Sequence, residues 1–194
     1  TDTEIRYNVT NTYSPDTTSV RVTKHWEDAE NQDGIRPASV TIQLYKDGET
    51  VKDASGNDLT VMLSETNRWT DVFRDLPKYE DKEEIIYTVD EEGFTQLTGD
   101  ASTGYQKVTP IAGNMSEGYI ITNIHNPVKI RISGTKTWVG DEDQPEGTRP
   151  DHITLELLAN GNRVSTTVGE KPTYAWSFKN LDKFENGKEI AYVV

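Results

Sequence analysis

Ser19-Val-Arg-Val-Thr-Lys-His-Trp26 alternates strictly enough to be read as an extended strand. Side chains two apart share a face, so Val20, Val22, Lys24 and Trp26 lie on one side and Arg21, Thr23 and His25 on the other. The apolar side must face a core, and it carries a lysine. The same arrangement returns downstream: Val22-Thr-Lys-His-Trp26 is matched by Gly134-Thr-Lys-Thr-Trp138, with Ile130, Ile132, Gly134, Lys136 and Trp138 on the corresponding face. Lys24 and Lys136 stand 112 positions apart.

The repetition extends well beyond this strand, which makes an internal repeat the first fact about organisation. Gly34-Ile-Arg-Pro37 returns as Gly147-Thr-Arg-Pro150, and Val40-Thr-Ile-Gln-Leu44 as Ile153-Thr-Leu-Glu-Leu157. Asp47-Gly48 and Asn160-Gly161 follow as turns. Phe73-Arg-Asp-Leu76 matches Phe178-Lys-Asn-Leu181, and Glu84-Ile-Ile-Tyr-Thr-Val89 matches Glu189-Ile-Ala-Tyr-Val-Val194. Near the start, Val9-Thr-Asn-Thr-Tyr13 resembles Ile121-Thr-Asn-Ile-His125. The expected division is therefore residues 1–16 as the last strand of a preceding repeat with its linker, 17–127 as a complete repeat, and 128–194 as a second repeat that stops early. Ser14-Pro15 and Asn126-Pro127 mark short, semi-rigid joints.

Within a repeat, alternating runs at 19–26, 38–45, 58–63, 69–74, 84–91, 104–110 and 118–125 are separated by turn residues, and no segment keeps a 3.6-residue period over three turns. Seven short strands in about 110 residues predict an all-β, two-sheet sandwich. Thr, Val, Ile, Trp and Tyr supply strand propensity and core bulk.

Composition narrows the function. The 194 residues carry a net charge of −13, which repels phosphate backbones and anionic lipid, so neither nucleic acid nor membrane insertion is expected. No apolar run is long enough for a transmembrane helix. Cysteine is absent, excluding disulfides and thiol chemistry. His25, His125 and His152 are scattered singly, against a histidine metal site. An EF-hand register over Asp28–Gly34 fails, since Ala29 and Val40 fall at its first and twelfth positions; the second copy has Glu142 and Ile153 there. Leu76-Pro-Lys-Tyr79 lacks the Thr-Gly of a sorting signal, and its counterpart is Leu181-Asp-Lys-Phe184. Asn8-Val-Thr10 is a chance sequon. No metal, cofactor or enzymatic triad is expected.

Alternation places two further polar groups inward. Ile85, Tyr87, Val89 and Glu91 share a face, as do Ile121, Asn123 and His125; the early segment offers Val9, Asn11 and Tyr13. On alternation alone two readings stand: a satisfied but inert Lys–Glu–Asn cluster, or a reactive one. A buried polar group must be paired in either case.

Lys24 in Val-Thr-Lys-x-Trp, Asn31-Gln-Asp-Gly-x-Arg-Pro37, Asp75-Leu-Pro-Lys-Tyr79, Tyr87-Thr-Val-x-Glu91 and Ile121-Thr-Asn123 together resemble the B-type repeats of Gram-positive collagen adhesins, the Cna B-type family. The resemblance covers the whole chain in order. It implies tandem transthyretin-like, inverse-immunoglobulin β-sandwich repeats. It also implies an intramolecular isopeptide bond between Lys24 and Asn123, promoted by Glu91, with Lys136 and Asn11 at the equivalent positions of the incomplete repeats. Asp90 and Glu92 flank Glu91, but alternation and alignment favour Glu91. His125 departs from Tyr13 of the early segment and is expected to alter only packing beside Asn123. An apolar site favours a neutral amine nucleophile and a protonated carboxyl that polarises the amide and shuttles protons. That is one turnover on itself, not enzymatic activity.

The resemblance further implies stalk repeats on the extracellular, cell-wall-anchored surface of a Gram-positive bacterium. Their partners would be neighbouring repeats and, through a head region outside this chain, host extracellular matrix. A host-ligand-binding module using loops Asp90–Tyr105 and Pro110–Gly118, or a pilin subunit domain, is the alternative. Val194 aligns with Val89, two positions before the expected acid, so Lys136 is expected to remain a free amine.

Overall fold

The computed structural model describes residues 3–93, 104–140 and 147–194. Its first eleven strands are β1 (Thr17–Glu27), β2 (Ser39–Lys46), β3 (Glu49–Thr50), β4 (Thr60–Ser64), β5 (Thr70–Pro77), β6 (Tyr79–Glu80), β7 (Glu83–Glu84), β8 (Tyr87–Glu91), β9 (Gln106–Lys107), β10 (Ala112–Asn114) and β11 (Gly118–Ile124). Then come β12 (Lys129–Thr135), β13 (His152–Ala159), β14 (Asn162–Glu170), β15 (Ala175–Asp182), β16 (Phe184–Glu185), β17 (Lys188–Glu189) and β18 (Tyr192–Val193). Among the described residues there is no α-helix, only a 3-10 turn at Glu65–Asn67. The chain is an all-β protein of tandem transthyretin-like, inverse-immunoglobulin β-sandwich repeats.

Two larger antiparallel sheets and the two-stranded sheet β6-β7 form the first repeat. One runs β10-β11-β1-β5 with β9 on β11; in the other, β2 pairs with β3, β4 and β8. The strand period decides what each face buries. Val20 and Val22 of β1, Ile42 and Leu44 of β2, Leu63 of β4 and Ile121 of β11 are completely buried, and Phe73, Leu76, Tyr87 and Val89 nearly so. Leucines thus share the core with Val, Ile and Tyr, whereas the four tryptophans are only half-buried, as is usual for so large a ring. Two buried tyrosines satisfy their hydroxyls on main-chain carbonyls: Tyr87 donates to Pro77 O at 2.9 Å and Tyr119 to Tyr87 O at 2.7 Å.

In the second repeat the five-stranded sheet β12-β15-β14-β13-β18 is joined by the two-stranded sheet β16-β17, and local detail is reproduced. Both first strands carry an irregularity at the same place, between Thr18 and Val20 and between Ile130 and Ile132. Tyr192 donates to Asp182 O at 2.8 Å, as Tyr87 does to Pro77 O. The two-residue hairpin turns are also alike. Asp47-Gly48 (φ 52° and 85°) and Asn160-Gly161 (φ 49° and 84°) both lie in the left-handed region, which the twist of a tight hairpin requires and Asp, Asn and Gly tolerate.

Three details differ from the expectation. The run 104–110 has only Gln106–Lys107 in a strand, and 84–91 is interrupted at Ile85–Ile86. The segment 110–118 is no long loop, since Ala112–Asn114 pairs with Gly118–Ile120. The early segment Val9–Tyr13 is in no strand and is exposed, with Val9 at 87% and Tyr13 at 84%; a strand needs a hydrogen-bonded neighbour, and the segment has none among the described residues. Much of loop 90–105 lies outside the described residues, as does Glu142.

By backbone contacts the chain divides into two compact units, with borders after His25, Pro37, Val108 and Ile121. The first holds most of β1, the β2–β8 sheet, β10 and the start of β11. The second holds the 26–37 loop, β9, the end of β11 and the whole second repeat.

The core assignment is testable on neighbouring residues of one strand. Ile121 is completely buried and Ile120 is 45% exposed. Ile121→Ala should cost about 3 kcal/mol in urea unfolding, and Ile120→Ala less than about 0.5 kcal/mol.

Candidate functional site

β1 delivers Lys24 inward beside Val20 and Val22, while Arg21 and His25 face out. The side chain has no exposed surface, and its Nζ lies 3.7 Å from Glu91 Oε2, whose own side chain is 5% exposed. That distance is an ion-pair contact but too long for a direct hydrogen bond. The amine also donates to Ile121 O at 3.3 Å and His25 O at 3.4 Å. Glu91 ends β8 opposite Ile42. Of the three consecutive acids only it points inward: Asp90 is half-buried and takes the Glu91 N–H on its Oδ1 at 2.8 Å, and Glu92 is exposed. Asn123 on β11 is 1% exposed, two residues beyond the Ile121 whose carbonyl receives the Lys24 amine.

A lysine and a glutamate sealed in a core carry a desolvation cost that their mutual attraction only partly offsets. In the second repeat Lys136 is exposed instead, its Nζ 5.0 Å from the centre of the Trp138 ring. Asn11 lies in the exposed early segment.

A second polar cluster, not foreseen from alternation, sits in the second unit where β1 runs into the 28–37 loop. Asp28 is 1% exposed. Arg36 grips it with Nε at 2.9 Å and Nη2 at 2.5 Å, Tyr105 donates its hydroxyl at 2.6 Å, and the Asn31 N–H donates at 3.0 Å. Arg36 also lies over the Trp26 ring at 5.6 Å, and Trp26 meets Tyr105 edge-on at 4.9 Å. Burial raises the Asp28 pKa, but the bonds from Arg36, Tyr105 and Asn31 outweigh it and hold the carboxyl at about 2. Burial first, then Asp28, pushes the Tyr105 phenol up. The acidic loop that superficially suggested calcium therefore spends its buried carboxylate on an arginine. Strand periodicity could not show this, because the residues are in loops. The visible signal was the Gly-x-Arg-Pro repeat.

The next residues of the loop meet the chain where it leaves β11. Asp33 and His125 are both buried, with Nε2 3.0 Å from Asp33 Oδ2, and the same oxygen accepts the Val128 N–H at 2.8 Å. His125 Nδ1 lies 3.0 Å from Gly104 O; a carbonyl has no proton to give, so Nδ1 carries a hydrogen. His125 thus does more than adjust packing beside Asn123. Gln32 adds a side-chain bond to Asp182 Oδ1 at 2.6 Å, and its carbonyl accepts the Gly187 N–H at 2.9 Å. Gly34 (φ 72°) approaches Gly187 so closely that a Cβ on Gly34 would stand 2.5 Å from the Gly187 Cα.

Among the described residues no group of three or more His, Asp or Glu could hold a metal ion, and no helix is long and apolar enough to cross a membrane.

Comparison with known proteins agrees with this architecture. The family described as Cna protein B-type domain matches residues 20–124 and 132–194, and the chain belongs to that family. It is 37% identical over 187 residues to the collagen adhesin of Staphylococcus aureus, covering 96% of this chain and 14% of that protein. The crystal structure of two B repeat units (B1B2) of the collagen-binding protein of S. aureus superposes with a TM-score of 0.71 at 34% identity, over 93% of this chain and 44% of that one. That of a single B1 unit gives a TM-score of 0.43 at 29% identity, over 91% and 83%.

Asp28 makes acid stability a test of the second cluster. Its folded pKa lies below the ordinary 3.8, at about 2. A depressed carboxylate contributes stability that is present above the unfolded value and lost as pH falls through the folded one. That contribution is about 2 kcal/mol. In urea unfolding, the native chain should lose that much more stability between pH of about 4 and about 2 than Asp28→Asn does. Equal acid slopes would remove the assignment.

Proposed function

We propose that the chain is a structural, non-enzymatic segment of a bacterial surface adhesin, whose complete repeat locks itself with an isopeptide bond between Lys24 and Asn123. The observation that carries this reading is the sealed pair of Lys24 and Glu91, 3.7 Å apart, with Asn123 buried on β11. Lys24 Nζ attacks Asn123 Cγ, a carbon–nitrogen bond forms, the bond from Cγ to Nδ2 breaks, and ammonia leaves. Glu91 hands a proton to the departing nitrogen and receives one from the attacking amine, so it ends as it began. Folding supplies the proximity that a slow amide exchange requires.

The repeat division carries the mechanical meaning. Residues 17–127 act as one complete repeat, 1–16 as the end of a preceding one, and 128–194 as part of a second. The lysine is on β1 and the asparagine on β11, 99 positions later. The crosslink would therefore load a covalent bond between the end strands before the hydrogen bonds of the sheets. By analogy with a disulfide closing a loop of about 100 residues, chain entropy contributes roughly 4–5 kcal/mol. Such repeats would carry a ligand-binding region away from a Gram-positive cell wall, with neighbouring repeats and host matrix as partners of the full protein.

Intact mass of the folded chain should fall short of the sequence mass by one ammonia. Glu91→Gln and Lys24→Arg should restore the full mass, with Glu91→Gln still folded by circular dichroism but losing protease resistance. Lys136 should react with amine reagents while Lys24 does not. A full-length mass in the folded native chain would sink the proposal, and an ammonia loss retained in Glu91→Gln would transfer the acid's role to another residue.

A further inference from the structure

The outer face of β1 and β5, in the first unit, holds an open groove of ≈540 Å³ lined by Arg21, Thr23, Arg68, Thr70, Asp71, Val72 and Arg74. Three arginines against one aspartate make it locally cationic on a chain of net charge −13. Among the described residues nothing pairs with this charge. Among the described residues Arg21, Arg68 and Arg74 are exposed and have neither a carboxylate at ion-pair distance nor a hydrogen-bonded side-chain partner. By contrast Arg6, Arg36 and Arg163 are all paired.

The groove is built from the strand register. Arg21 stands opposite Val72 and Thr23 opposite Thr70, and Arg74 follows two residues beyond Val72 on the same face. Arg68 comes in from the left-handed position (φ 56°) that closes the turn before β5. Gly118 gives the Arg21 stem room, since a Cβ there would stand 3.3 Å from the Arg21 Cβ. The sandwich itself does not require these arginines: the matching positions of the second repeat are Ser133, Thr173 and Lys179.

The polar floor restricts the occupant. Thr70 Oγ1 donates to Val22 O at 3.0 Å and lies 3.0 Å from Thr23 Oγ1. With the Thr70 proton spent on the carbonyl, Thr23 supplies the proton between the two hydroxyls, and each oxygen keeps a lone pair with which to accept. The groove therefore offers guanidinium donors for anions, hydroxyl acceptors for a ligand's own O–H groups, and Val72 as an apolar contact. A sugar polymer bearing carboxylates or sulfates presents that combination of anion, hydroxyl and C–H face. A polypeptide of acidic side chains supplies anions but no hydroxyls, and duplex DNA supplies phosphates but no 2′-hydroxyls along its chain. We propose that the Arg21–Arg68–Arg74 groove is a binding surface for an anionic polysaccharide, independent of the crosslink chemistry.

The test is titration of the full chain with heparin, polyglutamate and duplex DNA by calorimetry, first at low ionic strength and then at about 0.15 M, where screening acts beyond about 8 Å. Heparin should bind and weaken with salt, while polyglutamate and DNA bind at least tenfold more weakly. The triple variant Arg21→Ser, Arg68→Asn, Arg74→Gln should lose at least tenfold in heparin affinity with an unchanged melting temperature; Asn is chosen because it tolerates the left-handed backbone at position 68. Arg131→Gln, on an exposed arginine outside the groove, should bind as the native chain does. Absence of heparin binding, equal binding by the triple variant, an equal loss in Arg131→Gln, or a preference for polyglutamate or DNA would each overturn the proposal.

Discussion

Burying the Lys24 amine is the constraint on which the rest of the first repeat depends. An ammonium cannot be left in an apolar core without a counter-charge or a change of protonation. One inward lysine on β1 therefore obliges the facing sheet to bring an acid to it. β8 does so through Glu91, placed by pairing with β2 and by an alternation that turns Asp90 sideways and Glu92 out. The same inward face of β11 brings Asn123 into the core. Val20, Val22 and Ile121 are completely buried on the same strands as these groups, and burial makes the charged pair costly. In the second repeat Lys136 is exposed and lies against Trp138, so it bears no comparable cost.

What could be read from the sequence follows from what a period of two encodes. Most strands of both repeats, the repeat itself, and the inward positions of Lys24, Glu91 and Asn123 were legible, because alternation reports directly on which face a side chain takes. Pairing across loops was not. Asp28, Arg36 and Tyr105 come together from three places with no shared period, and Asp33 reaches His125 across 92 positions. The short β10 was hidden for a related reason. Ala112-Gly-Asn114 has no apolar alternation, and it is a strand because Gly113 (φ 89°) lets the chain pass so near Gly118 that a Cβ there would stand 2.0 Å from the Gly118 carbonyl oxygen.

The two polar clusters differ in what they ask of their surroundings. Asp28 is saturated by an arginine fork, a phenol and a main-chain N–H, and such a fully bonded carboxylate is chemically quiet. Lys24 and Glu91 stand farther apart, at 3.7 Å. The first cluster fixes the loop that follows β1, and that loop then presents Gln32, Asp33 and Gly34 in a defined order.

The approach of Gly34 to Gly187 bears on how such chains diversify. Tandem copies of similar sequence are substrates for unequal recombination, which lengthens, shortens and shuffles arrays without regard to packing. A seam made of two main chains in contact restricts which products keep it. The position matching Gly187 in the first repeat is Lys82, and a side chain brought to that place would set its Cβ 3.1 Å from the Gly34 Cα. Copies that look interchangeable by their cores are thus distinguished at their ends, and the order of repeats along an array becomes a heritable property of the backbone.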